Sequence, residues 1–122
     1  VGEASILLNT SKEKIKKNRI MSAKRISKKY SAVVVLKGEN SIICWKEKYF
    51  ICEKGNAGMA TGGMGDVLSG IISSFIAQKM TLLDAACLGV ELHAEAADEY
   101  SEAIGINSLT PTDVLDIIKE LI

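Results

Sequence analysis

Residues 56–70 read Asn-Ala-Gly-Met-Ala-Thr-Gly-Gly-Met-Gly-Asp-Val-Leu-Ser-Gly, with five glycines and one carboxylate, Asp66. A strongly apolar run, residues 67–77, follows at once. Glycine tolerates positive φ and tight turns at no steric cost. The apolar run reads as a helix, which places Gly63, Met64, Gly65 and Asp66 at its N-terminus. There the first amides lack intrahelical acceptors and the helix dipole is positive, an arrangement that binds phosphate. A carboxylate at such a place opposes anion binding by itself. It makes chemical sense as a base that takes a proton from an alcohol attacking the phosphate. On spacing alone the competing explanation is a glycine-rich turn before a buried helix, with Asp66 serving the dipole. The pattern is neither a GxxxxGK[ST] loop nor a GxGxxG fingerprint.

Two further groups could do chemistry. Lys37 and Gly38 close an apolar, β-branched run at residues 32–36. By itself, Lys37 fits a lysine ending a strand at the surface. His93 is the sole histidine and reads as a satisfied helix histidine rather than a catalytic one. The three cysteines, Cys44, Cys52 and Cys87, stand far apart in apolar contexts. They fit small buried side chains better than a disulfide framework or zinc site, and suit a reducing, cytoplasmic setting.

Residues 56–70 resemble the signature of the ADP- or ATP-dependent NAD(P)H-hydrate dehydratases, a branch of the ribokinase-like small-molecule kinases. Val34-Val35-Leu36-Lys37-Gly38-Glu39-Asn40-Ser41 resembles that family's strand and nucleotide-contacting turn. Val1-Gly2-Glu3 resembles the end of its Thr-Pro-His-Pro-Gly-Glu segment. The resemblance runs through the whole chain in order. It implies an α/β fold of the ribokinase-like three-layer α/β/α kind, with this chain as its C-terminal portion, residues 1–122 forming half of one catalytic domain. It implies ATP or ADP with Mg2+, and NADH or NADPH hydrate as substrate. The substrate hydroxyl would be phosphorylated and phosphate then eliminated. By position, Asp66 matches the base and a substrate contact, and the amides of Gly63, Met64 and Gly65 match an anion hole. Lys37, Gly38, Glu39, Asn40 and Ser41 match the nucleotide turn, which Gly65 would join. Asn56 is a candidate phosphate or Mg2+ contact; no protein ligand set for the metal is assigned. Where the family usually shows His-Gly-x-Ala-Gly-Asp, this chain has Leu92-His93-Ala94-Glu95-Ala96-Ala97-Asp98. Both glycines are replaced, while Asp98 keeps its place with a capping or packing role. The alternative within the superfamily is a sugar or vitamin kinase that keeps its phosphorylated product. A homo-oligomer and, as in some members, a fused epimerase domain also go with the resemblance.

The elements that would carry these groups are legible in outline. Residues 2–8 read as a short helix ended by Asn9. Thr10 or Ser11 caps a longer one, residues 12–30, with Ile15, Arg19, Ala23, Ile26 and Tyr30 on its inner face. The run at 32–36 reads as a strand buried on both faces, as in a parallel sheet. Residues 41–46 and 48–53 read as a hairpin, with Trp45, Tyr49 and Phe50 as packing residues rather than a stacking platform. After the glycine loop come helices at 65–78 and 82–103, the second with a small-residue stripe of Ala85, Ala86, Gly89, Ala96 and Ala97. Thr110-Pro111-Thr112-Asp113 caps a last helix.

Composition bounds the rest. The 122 residues suit one domain, and the net charge is formally zero. It is divided: residues 1–50 hold twelve Lys/Arg and four Asp/Glu, residues 51–122 three and eleven. The basic half lacks interleaved aromatics, so a solvated helix face is expected rather than nucleic-acid binding. No apolar run reaches the roughly 18 residues of a membrane span, and no signal-peptide pattern is seen. One buried strand and such apolar helices call for partners beyond these residues. The chain is therefore expected to be part of a larger domain, without full activity by itself.

Overall fold

The computed structural model describes residues 1–55, 63–103 and 110–121. They form two compact units, Val1–Ile51 and Cys52–Ile122.

The first unit contains α1 (Gly2–Leu7), α2 (Lys12–Lys17), α3 (Arg19–Tyr30), β1 (Val34–Leu36), β2 (Ile42–Trp45) and β3 (Lys48–Ile51). Asn9, at φ 50°, follows α1, and the Ser11 hydroxyl caps α2 by accepting from the Lys14 amide at 3.2 Å. The helix expected over 12–30 is broken at Asn18, whose φ of −138° and ψ of 60° are not helical. Asn competes for backbone groups in non-helical conformations, and here its carbonyl starts the second helix by accepting from Ser22. Ile15, Ala23 and Ile26 are buried as expected, against Ala4, Leu36, Ile42 and Cys44. Tyr30 is instead 48 % exposed.

The sheet has the order β1-β2-β3, and both pairings are antiparallel. An antiparallel partner thus occupies one edge of β1, while its parallel neighbours are expected from outside this chain; the strand itself is expected at residues 32–36. The strand covers only three of them, and Val34 and Val35 are half-buried. The pairing of β1 with β2 is antiparallel because residues 37–41 are too few for a parallel crossover and return the chain directly. β2 and β3 form the expected hairpin, with Cys44 opposite Tyr49 and Trp45 opposite Lys48. The packing role given to the aromatics needs correction. Tyr49 and Phe50 are 41 % and 43 % exposed, and only Trp45 is half-buried. Helix α3 packs on β1 and β2, which leaves β3 as an exposed edge strand. Ser27, fully buried, donates to the Ala32 carbonyl and accepts from the Lys46 amide, both at 2.7 Å. One hydroxyl thus ties the end of α3 to the hairpin turn, while Lys24 and Lys28 pair with Glu47.

The second unit contains α4 (Met64–Ala77), α5 (Leu82–Ala103) and α6 (Pro111–Leu121). Met64, Ile71, Ala96, Ala97, Val114 and Ile118 form its core. The small stripe on α5 does what its composition suggests: Ala85, Ala86, Ala96 and Ala97 are buried. A Cβ on Gly89 would fall 2.6 Å from Cγ1 of Ile72, so α4 and α5 approach to a distance that only glycine allows there. Thr81 caps α5 through the Asp84 amide at 3.2 Å. At α6, Asp113 accepts from the amide and hydroxyl of Thr110, and the Asp113 amide returns a bond to that hydroxyl. With Pro111 at the first helical position, this is a reciprocal cap. Among the described residues no helix is long and apolar enough to cross a membrane.

Candidate functional site

In Cys52–Ile122 the glycine segment enters α4 through Gly63, the N-cap, at φ 89° in the left-handed region. Among the described residues no side chain caps this end, and the first helical bond runs from the Val67 amide to the Gly63 carbonyl at 3.1 Å. The amides of Met64, Gly65 and Asp66 therefore stand in the first turn, where a helix offers donors and positive potential. Met64 is buried and fixes the turn to the core, Gly65 is half-buried, and Asp66 is exposed. The N-terminus of α6 abuts the same place, since a Cβ on Gly63 would lie 3.2 Å from Cγ of Pro111. Asn56 lies outside the described residues.

The lead-in to the segment is fastened to α5. The Gly55 amide donates to Oδ2 of Asp98 at 2.8 Å. Lys54 pairs with Glu91 at 3.1 Å and Glu95 at 3.8 Å, and the hydrogen bond to Glu91 holds the ammonium's pKa above its usual value. Glu91, Glu95 and Asp98 follow at helical spacing, so one face of α5 grips both residues. Asp98 thus has the capping role read from the sequence, exercised on a loop rather than on a helix. His93, on the same helix, is 4 % exposed. Burial pushes its pKa below the usual value. Its Nε2 has no hydrogen-bond partner among the described residues, so the reading of a satisfied histidine does not hold for that nitrogen.

In Val1–Ile51 the residues expected to touch nucleotide form a compact turn between β1 and β2. Lys37, Gly38, Glu39 and Asn40 are exposed and Ser41 is half-buried. The Gly38 amide donates to Oγ of Ser41 at 3.3 Å, and that hydroxyl donates to the Gly38 carbonyl at 3.1 Å. Asn40 takes φ 56°, a left-handed position that Asn tolerates. The sequence reading missed Arg19. It was placed on the inner face of its helix, but its guanidinium reaches the turn. There it donates to the carbonyls of Glu39 at 2.6 Å, Asn40 at 3.3 Å and Leu36 at 3.3 Å. The available signal was a lone arginine in an otherwise apolar stripe.

Burial raises the pKa of Cys44 and of Cys52, which disfavours the reactive thiolate.

A family model described as NAD(P)H-hydrate dehydratase matches residues 1–120. The bifunctional NAD(P)H-hydrate repair enzyme Nnr of Vibrio cholerae is 42 % identical over 120 residues, 98 % of this chain and 24 % of that protein. The ADP-dependent (S)-NAD(P)H-hydrate dehydratase of Neisseria meningitidis is 41 % identical over 105 residues, 85 % of this chain and 36 % of that one. Among solved structures, the ADP/ATP-dependent NAD(P)H-hydrate dehydratase of Bacillus subtilis, co-crystallised with ATP/Mg2+, matches with a TM-score of 0.83 at 26 % identity. That match covers 88 % of this chain and 39 % of the other. Bacillus subtilis YxkO matches with a TM-score of 0.93 at 25 % identity, over 98 % and 45 % of the two chains. This chain spans between 18 % and 36 % of the length of these and similar curated relatives. The α/β fold is that of the ribokinase-like dehydratases, over the part these residues cover.

Proposed function

The chain belongs to the NAD(P)H-hydrate dehydratase family, and from that premise we propose that the protein carrying it restores NADH or NADPH from its hydrate, consuming ADP or ATP. The observation that carries the reading is the start of α4. A left-handed Gly63, the first-turn amides of a 14-residue helix, and one exposed carboxylate, Asp66, occupy consecutive positions. Donors and base are thus adjacent, as transfer of a phosphoryl group to an alcohol requires.

In this reading the amides of Gly63, Met64 and Gly65 hold the oxygens of the phosphoryl group in flight. Asp66 takes the proton of the hydrate's hydroxyl as that oxygen bonds to phosphorus. The bond from phosphorus to the departing nucleotide breaks at the same time. In the second stage the carbon–oxygen bond breaks, inorganic phosphate leaves, and loss of a neighbouring ring proton restores the dihydronicotinamide double bond. Phosphate leaves where hydroxide would not, which gives the nucleotide its purpose. Lys37, Gly38, Glu39, Asn40 and Ser41, with Gly65, contact the nucleotide. Mg2+, when bound with the nucleotide, would neutralise part of the phosphates' charge, and Asn56 would be a further contact. Residues 1–122 form the C-terminal half of the catalytic domain, within a homo-oligomeric cytoplasmic enzyme.

The test uses the full-length protein. NADH hydrate, Mg2+ and ADP or ATP are supplied, and the absorbance of restored dihydronicotinamide is followed. Recovery that needs nucleotide is the expected result. Nucleotide turnover on some other alcohol, without recovery, would instead identify a kinase that retains its phosphorylated product.

A further inference from the structure

The turn at residues 37–41 is shaped by a side chain from a different element. Arg19 opens α3, directly after the break at Asn18, and three backbone carbonyls converge on its guanidinium: those of Leu36, Glu39 and Asn40. Bonds from a charged donor are the stronger kind, and the planar fork fixes direction as well as distance. Gly38 leaves the space for it. Its φ is 153°, and a Cβ there would lie 3.1 Å from Nη2 of Arg19.

No peptide bond among the described residues is cis, and a trans peptide carries its C=O and N–H on opposite sides. Carbonyls of residues 36, 39 and 40 that turn toward the guanidinium therefore turn the amides of Lys37, Asn40 and Ser41 away from it. A ring of carbonyls would repel a nucleotide's phosphates and compete with its acceptors. With those carbonyls bound to a cation, the outer side of the turn presents donors.

We propose that Arg19 is a positioning residue for nucleotide binding, holding the 37–41 turn with its carbonyls inward and its amides toward the nucleotide. The proposal rests on the reading that this turn contacts ADP or ATP, and it adds a residue that acts without touching the ligand. Lysine is a poor substitute, because its compact ammonium lacks the planar fork whose two terminal nitrogens here reach three carbonyls at once.

The experiment compares Arg19→Ala and Arg19→Lys with the wild type in the full-length protein. Steady-state constants are measured for nucleotide and for NADH hydrate, and the affinity for ATP/Mg2+ is measured separately by calorimetry. The nucleotide KM and Kd are expected to rise about tenfold or more in both variants, while the hydrate KM stays within about twofold. Millimolar guanidinium, but not ammonium, should restore nucleotide affinity in Arg19→Ala. Unchanged nucleotide constants overturn the proposal. So does a joint rise in both KM values with a lowered unfolding midpoint and no response to guanidinium, which is the mark of a purely structural residue. Should Arg19→Ala fold poorly, Arg19→Lys, which keeps the charge and the aliphatic stem, decides the matter alone. If the wild type binds ATP/Mg2+ but restores no NADH, the dehydratase reading fails. The calorimetric comparison still decides the role of Arg19.

Discussion

The two units hold their candidate ligand-binding segments by opposite means. In Val1–Ile51, rich in lysine and arginine, a cation grips backbone carbonyls: Arg19 binds those of Leu36, Glu39 and Asn40. In Cys52–Ile122, rich in carboxylates, an anion grips a backbone amide. Asp98 accepts from Gly55, and Glu91 and Glu95 take the neighbouring Lys54. The charge division in the sequence, which at first suggests a partner, thus has an internal use in each unit. The difference also separates two tasks. Arg19 acts on acceptors and leaves the turn with donors facing outward. Asp98 uses up one donor ahead of the glycine segment and leaves the donors at the start of α4 to the helix itself.

Substitutions can break this contrast, with the largest expected loss of turnover first. Gly63→Ala forces an L side chain into the left-handed region, at about 1–2 kcal/mol, and presses it on Pro111. Turnover should fall about tenfold or more with the nucleotide KM of the 37–41 turn little changed, as steady-state kinetics would show. Gly89→Ala drives a methyl into Ile72. Overpacking of this kind costs about 1–3 kcal/mol, and calorimetry should show a lowered unfolding midpoint. Asp98→Asn keeps the shape of the clamp but removes its charge. A loss of about 1 kcal/mol is expected, read as a severalfold drop in kcat with nucleotide affinity kept. An equal loss of affinity would mean that the two units do not divide the work as described.

The smallest effect concerns pH. The folded pKa of His93 is lowered by burial. As pH falls below the usual value of 6.5, the unfolded chain takes up a proton that the native chain does not, so stability declines toward the folded pKa. Above 6.5 both states are neutral and the contribution is constant. Unfolding midpoints between about pH 5 and 7.5 should show this slope in the wild type and a flatter one in His93→Leu.

Local signals were the legible ones. The Thr110–Asp113 cap, the small stripe on α5 and the Gly63–Asp66 approach to α4 each depend on residues within a few positions of one another. What escaped depends on distant partners. The apolar stripe across residues 12–30 is the same with or without a break at Asn18, so periodicity did not reveal it. Arg19 fitted that stripe equally well, and its role appears only when the 37–41 turn is placed beside it. Tyr49 and Phe50 alternate as strand residues do, but alternation does not say which strand a helix covers. The β-branched run at 32–36 marks a strand but not its neighbours, and the short connection after it sets an antiparallel partner on one edge.

The central claim is that the first turn of α4 holds a moving phosphoryl group while Asp66 primes the alcohol. A single-turnover experiment with phosphoryl-labelled ATP and NADH hydrate tests it most directly, comparing wild type with Asp66→Asn and titrating ATP/Mg2+ alongside. The account predicts that Asp66→Asn binds ATP/Mg2+ within about threefold of wild type and transfers the label about a thousandfold more slowly. Transfer at the wild-type rate, or a loss explained wholly by failure to bind nucleotide, would contradict it.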